Sequence, residues 1–256
     1  MTADSSSRPL ALVTGVGRTV GIGAALAEGL ARTGWDVAVS YWAAYDDRMT
    51  WGRQPGAVAE VVERLEAAGA RAAAVEADLA DAAAPAALFD EVERRLGGRV
   101  RALVMSHCES VDSSILDTTV ESFDRHFAVN ARASWLLIKE YAERFDGPHG
   151  SGRVIALTSD HTVHNLPYGA SKGALDRITL AAARELAHLG ITANVINPGP
   201  VDTGWMDDAL RAAMTDATPL GRLGTPQDVA NLVTFLCSPQ GGWVNAQLLS
   251  SNGGLA

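Results

Sequence analysis

The chain has 256 residues, 47% of them hydrophobic and 20% charged, with a net charge of −9. That is enough apolar material for one α/β core, and the acidic balance argues against a nucleic-acid surface. Cys108 and Cys237 are the only cysteines, so there is no disulfide framework and no zinc spacing, and no apolar run approaches the roughly 18 residues of a membrane span.

Residues 1–9 read as a short polar tail rather than a signal peptide, and a cytoplasmic protein is expected. Residues 10–256 read as one domain without repeats or a linker. Leu10–Thr14 is the first predicted strand, followed by the glycine-rich turn Gly15-Val-Gly17-Arg-Thr-Val-Gly21-Ile22-Gly23 and a helix over Ala24–Arg32. Strand, glycine turn and helix in that order suit a pyrophosphate, because glycines let the backbone approach and the helix start offers free N–H groups. Asp36–Ser40 is the second strand. It ends in Ser40, Tyr41 and Trp42, with no carboxylate to bond a ribose 2′-hydroxyl or repel a 2′-phosphate. Arg18 is the leading candidate to meet that phosphate, with Arg48 and Arg53 behind it. Tyr41–Pro55 is a long aromatic connection, either a surface loop packed on itself, a flap near the adenosine end of the site, or a subunit contact.

Gly56–Ala68 is an amphipathic helix and Ala72–Glu76 the third strand, followed by Asp78 and Leu79; Pro85–Leu96 is the next helix and Val100–Met105 the fourth strand. Val120–Phe145 is predicted as one long helix with Phe123, Phe127, Trp135, Leu136 and Ile138 as its apolar stripe and Asn130 as a polar residue within it. Val154–Leu157 is a strand of the doubly buried kind. Thr158 and Ser159 stand at its carboxyl end, and Pro167 marks the start of a helical region that includes Gly173–Leu189. Tyr168 and Lys172 are one turn apart on one face. A free phenol has a pKa of about 10, and an ammonium one turn away is expected to lower it, which makes Tyr168 a candidate proton donor or acceptor. Thr192–Ile196 is the sixth strand, followed by a Pro198-Gly199 turn. Residues 204–218 are expected to form a mobile lid. Thr225, Pro226 and Asp228 signal a helix start, and a last strand lies near Gln247–Leu249.

Together these residues resemble the short-chain dehydrogenase/reductase family, with the similarity running from about Leu10 to Gly254. The resemblance implies a Rossmann-type, doubly wound, seven-stranded parallel sheet. It implies a catalytic set of Asn130, Ser159, Tyr168 and Lys172, in which the lysine also binds the nicotinamide ribose. Cofactor contacts are implied at Gly15, Gly17, Arg18, Gly21, Ile22, Tyr41, Asp78, Leu79, Ser106, Tyr168, Lys172, Pro198, Gly199, Val201 and Thr203. Substrate contacts are expected from His161, His164 and Trp205, and no metal is expected. Three departures stand out. The glycine turn is two residues longer than the family pattern, Met105-Ser-His-Cys108 replaces Asn-Asn-Ala-Gly, and Tyr168 follows Ser159 by only nine positions. Ser106 is expected to restore part of the missing hydrogen bonding.

The expected activity is interconversion of a ketone and a secondary alcohol by hydride transfer. NADP(H) is favoured and NAD(H) is the alternative; a 3-oxoacyl thioester or a secondary-metabolite ketone fits as substrate. A homo-oligomer, tetramer or dimer, is expected. The competing reading is a non-catalytic NADP(H)-binding sensor or scaffold, supported only by the altered 105–108 segment and the longer glycine turn.

Overall fold

Alternate residues of the first strand point to opposite sides of one sheet, and each side carries its own core. Leu10 and Leu12 pack with Leu88, Phe89, Leu103, Leu137 and Leu175, whereas Ala11 and Val13 pack with Leu26, Leu30, Val37, Val61 and Val229. The computed structural model describes residues 8–255. Seven strands lie among them: β1 (Leu10–Thr14), β2 (Asp36–Tyr41), β3 (Ala72–Glu76), β4 (Val100–Met105), β5 (Gly152–Leu157), β6 (Ile191–Asn197) and β7 (Leu248–Ser250). They form one parallel sheet in the order β3-β2-β1-β4-β5-β6-β7. The order reverses between β1 and β4, which are hydrogen-bonded neighbours with Thr14 opposite Met105. In such sheets ligands bind outside the carboxyl ends of the strands at this switch point.

The helices are α1 (Ile22–Arg32), α2 (Ala43–Arg48), α3 (Ala57–Ala67), α4 (Ala84–Leu96), α5 (Val120–His126), α6 (Ala133–Arg144), α7 (Leu166–Glu185), α8 (Asp208–Ala217) and α9 (Pro226–Cys237). The cores place α1, α3 and α9 on one face and α4, α6 and α7 on the other. Helix α9 opens on a full capping box: Thr225 Oγ1 accepts from the Asp228 N–H at 3.2 Å, and the Asp228 carboxylate accepts from the Thr225 N–H at 2.8 Å. No helix among the described residues is long and apolar enough to cross a membrane.

The structure differs from the sequence expectations in four places. The helix expected over 120–145 is broken by a π turn, Phe127–Arg132, between α5 and α6, a feature that often marks functional sites. Its buried stripe is Leu137, Ile138 and Tyr141, while Phe123 and Trp135 are exposed at 37% and 52%. Helix α7 starts at Leu166 and ends at Glu185, because Pro167 sits comfortably in its first turn. The 41–55 connection contains α2. Of the expected tail, residues 1–7 lie outside the described residues. Arg8 is anchored, donating to the Gly69 carbonyl at 2.8 Å and the Trp35 carbonyl at 3.1 Å.

Candidate active site

β5 delivers its last residues to the carboxyl edge of the sheet, and α7 returns across them. Thr158 turns inward and is buried, leaving Ser159 as the half-exposed hydroxyl at the strand end. Its Oγ accepts the His161 N–H at 3.2 Å. Lys172, only 2% exposed, donates from Nζ to the Leu157 carbonyl at 2.8 Å. The same ammonium stands 5.7 Å from the centre of the Tyr168 ring. Burial pushes the Tyr168 phenol above its ordinary pKa; Cys108 adds to the rise and the Ser159 hydroxyl opposes it. The expected lowering by Lys172 is therefore corrected: burial dominates, and the ammonium is committed to a backbone carbonyl. Burial in turn lowers the pKa of Lys172, against the pull of Cys108 and Asp176.

Asn130 is fully buried on the π turn. Its amide accepts from the Glu109 N–H at 2.8 Å and donates to the Glu109 carbonyl at 2.9 Å and to Ser171 Oγ at 2.8 Å. The side chain thus ties the segment after β4 to α7, one residue before Lys172. Buried amides need such partners.

At the other end of the switch point, β1 runs into the glycine turn. Gly15 has φ +77°, and a Cβ there would lie 2.6 Å from the His107 backbone nitrogen, so only glycine fits. Gly21 caps α1 without any side-chain bond, and the first turn of α1, beginning at Ile22, holds no acidic residue. Those free N–H groups suit an anion. A side chain at Gly17, however, would collide with the Asp46 carboxylate. α2 thus folds the Asp46 carboxylate back against the glycine turn. Arg18 donates to the Thr203 carbonyl at 2.8 Å and stacks on Trp51 at 4.9 Å. Arg48 grips Glu109 and Arg53 pairs with Asp47, so all three candidate phosphate ligands are engaged within the protein.

The remaining expected cofactor residues lie along the same edge. Asp78 accepts from the Ala80 N–H at 2.9 Å and from Arg125 at 3.2 Å. Leu79 is buried in the core, and Tyr41 ends β2 with its carbonyl accepting the Ala77 N–H at 2.9 Å. Pro198 and Gly199 follow β6, where Gly199 N–H bonds Asn197 Oδ1 at 3.1 Å, and Val201 bridges to Gly224. His161, His164 and Trp205 are exposed. His161 contacts Asn165 of its own loop at 3.4 Å, and His164 holds a left-handed φ of 58°.

His107 supplies the hydrogen bonding expected of Ser106. The Val129 carbonyl can only accept, so His107 Nε2 carries the proton and donates to it at 3.1 Å, while Nδ1 accepts from Thr14 Oγ1 at 2.7 Å. Ser106 contributes only its backbone N–H, to Thr14 Oγ1 at 3.2 Å. The imidazole thus joins the ends of β1 and β4 to the π turn. Burial and the nearby Lys172 push its pKa down to about 3. Among the described residues no cluster of three or more His, Cys, Asp or Glu is arranged to hold a metal.

The family described as enoyl-(acyl carrier protein) reductase matches residues 15–256. The uncharacterized oxidoreductase YjdA of Bacillus subtilis is 34% identical over 254 residues, covering 97% of both chains. A chloroplastic NADPH-dependent aldehyde reductase-like protein of Arabidopsis thaliana is 35% identical, over 96% of this chain and 93% of its own. Among solved structures, a blue fluorescent protein from a metagenomic library, in complex with NADPH, superposes with a TM-score of 0.86 at 32% identity, covering 98% of each chain.

Proposed function

Because the chain belongs to the short-chain dehydrogenase/reductase family of oxidoreductases, we propose that it reduces a carbonyl compound, or oxidises the matching secondary alcohol, with NADP(H). The observation that carries this reading is the meeting of Ser159, Tyr168 and Lys172 at the carboxyl end of β5. The NADPH-bound neighbour and the relative named for NADPH dependence support the choice of cofactor.

The uncapped start of α1 and the left-handed Gly15 fit a pyrophosphate. In this reading Gly15, Gly17, Arg18, Gly21 and Ile22 hold it, Tyr41, Asp78, Leu79 and Ser106 flank the adenosine, and Pro198, Gly199, Val201 and Thr203 flank the nicotinamide. When bound, the nicotinamide supplies the hydride. Tyr168 is held protonated by its surroundings and gives its phenolic proton to the carbonyl oxygen. Ser159 orients that oxygen. Lys172, fixed by Leu157, contacts the nicotinamide ribose and stands ready to offset the phenolate left behind. Asn130 positions α7 through Ser171.

The exposed His161, His164 and Trp205 border the substrate side, and residues 204–218, including α8, form the lid. The reading includes self-association, supported by exposed Phe123 and Trp135 and by Trp243, which is 97% exposed. The substrate class is tested by loss of NADPH absorbance with a 3-oxoacyl thioester, aromatic diketones and sugar ketones, with NADH in parallel. Turnover of one class with NADPH supports the reading. Absence of turnover in both reduction and alcohol oxidation, with NADPH bound, would overturn it.

A further inference from the structure

Resting on that cofactor reading, we propose that the Trp42–Arg53 segment is a flap that fills the dinucleotide cleft of the free protein and has to swing out before NADP(H) binds.

Three anchors hold the segment across the switch point. At the glycine turn, Asp46 is 7% exposed and its carboxylate abuts Gly17, aimed there by the Trp51 indole N–H, which donates to its other oxygen at 2.9 Å. Trp51 in turn lies under Arg18, which reaches across to the Thr203 carbonyl. At the end of β4, Arg48 makes two bonds to the Glu109 carboxylate, at 3.0 and 2.9 Å, and that carboxylate is almost fully buried. Trp42 lies 4.4 Å from the Arg125 guanidinium, and Arg125 also bonds Glu109 and Asp78. The middle of the flap carries Tyr45, which meets the Trp51 ring edge-on at 6.3 Å and the Arg48 guanidinium at 5.6 Å.

The flap and the ligand exclude one another. The second glycine of such a turn is small so that a pyrophosphate can approach the backbone, and here the approach is taken by a carboxylate. Two anionic groups cannot share that place. Gly17, Arg18, Asp78 and Thr203 are all engaged by the flap or by its partners. Surface hollows lie away from this edge, one bordered by Phe127, Trp135 and Ile178 and another by Arg177, Leu180 and Ala246. A closed fraction that cannot bind divides the intrinsic dissociation constant by the open fraction, so the apparent affinity falls by that factor. Weakening an anchor therefore speeds association and tightens binding by one common factor and leaves dissociation unchanged.

The test is stopped-flow association of NADPH with the full-length protein and its Asp46→Asn and Arg48→Met variants. Asp46→Asn is isosteric and keeps an acceptor for Trp51, so it retains the fold and removes only the charge. Each variant is expected to associate roughly tenfold faster and to bind tighter by the same factor. Binding by the variants alone, with none by the wild type, supports the flap equally. If NADPH binds all three proteins with one rate and one affinity, the flap proposal falls and the cofactor reading stands. If NADPH binds none of them, the cofactor reading falls and the flap with it.

Discussion

Lys172 Nζ donates to the Leu157 carbonyl at 2.8 Å, so this ammonium is pinned to the last residue of β5 and not to the Tyr168 oxygen. The phenol is therefore governed by burial, which holds it protonated. Ultraviolet difference titration against a Tyr168→Phe control is expected to show no tyrosinate from this residue below about pH 10, the ordinary phenol value. A Tyr168 band appearing near neutral pH would contradict the assignment.

Asn130 carries three buried hydrogen bonds, two to Glu109 and one to Ser171. Asn130→Ala removes all three and leaves buried partners unsatisfied. At about 1 kcal/mol for each lost bond, and more where a buried group is orphaned, the variant is expected to lose about 2–4 kcal/mol. Urea denaturation checks this; a loss under about 0.5 kcal/mol would show that the amide is not holding the π turn against α7.

His107 and His126 are both held neutral. His126 Nδ1 donates to the Ser122 carbonyl at 2.6 Å and Nε2 accepts the Val111 N–H at 3.0 Å, and burial lowers its pKa. With His107 pushed down to about 3 and an unfolded value near 6.5, the unfolded chain takes up protons first on acidification. The stabilisation from a neutral His107 is therefore complete above about pH 6.5 and is lost as pH falls towards 3. Thermal melting across pH 4–8 is expected to show a falling Tm on the acid side, with a shallower slope in His107→Asn. An unchanged slope would contradict the buried neutral imidazole.

Thr225 and Asp228 close the capping box at the start of α9, which packs on α1 through contacts such as Gly29 against Ala230 and Thr234. Thr225→Ala is expected to cost about 1 kcal/mol, read as a lower denaturation midpoint with an unchanged slope. No change in midpoint would show that the cap is redundant.

Much of this was legible in the residues themselves. An unbroken apolar run, buried at every residue, marks β1, and the order of strand, glycine turn and helix marks the switch point. The spacing of Tyr168 and Lys172 on one helix face survives in α7. What escaped was long-range. The partner of His107 is Thr14, which lies 93 positions away in sequence and is brought close only because β1 and β4 are neighbours. Asp46 is one of two adjacent aspartates in a polar run, and nothing local indicates that α2 turns it onto Gly17. The π turn shares the composition of its flanking helices, so the hydrophobic period runs through it without a signal. Phe123 and Trp135 follow the apolar pattern and still face outward, because a stripe reports that a face is apolar and does not reveal what covers it.

The most direct test of the account is NADPH-dependent carbonyl reduction by the wild type and by Tyr168→Phe, with NADPH binding measured alongside. The account predicts that the variant binds NADPH as the wild type does while kcat falls by about 10²–10⁴-fold, the range expected for loss of a positioned proton donor. Turnover retained at the wild-type level in Tyr168→Phe would contradict it.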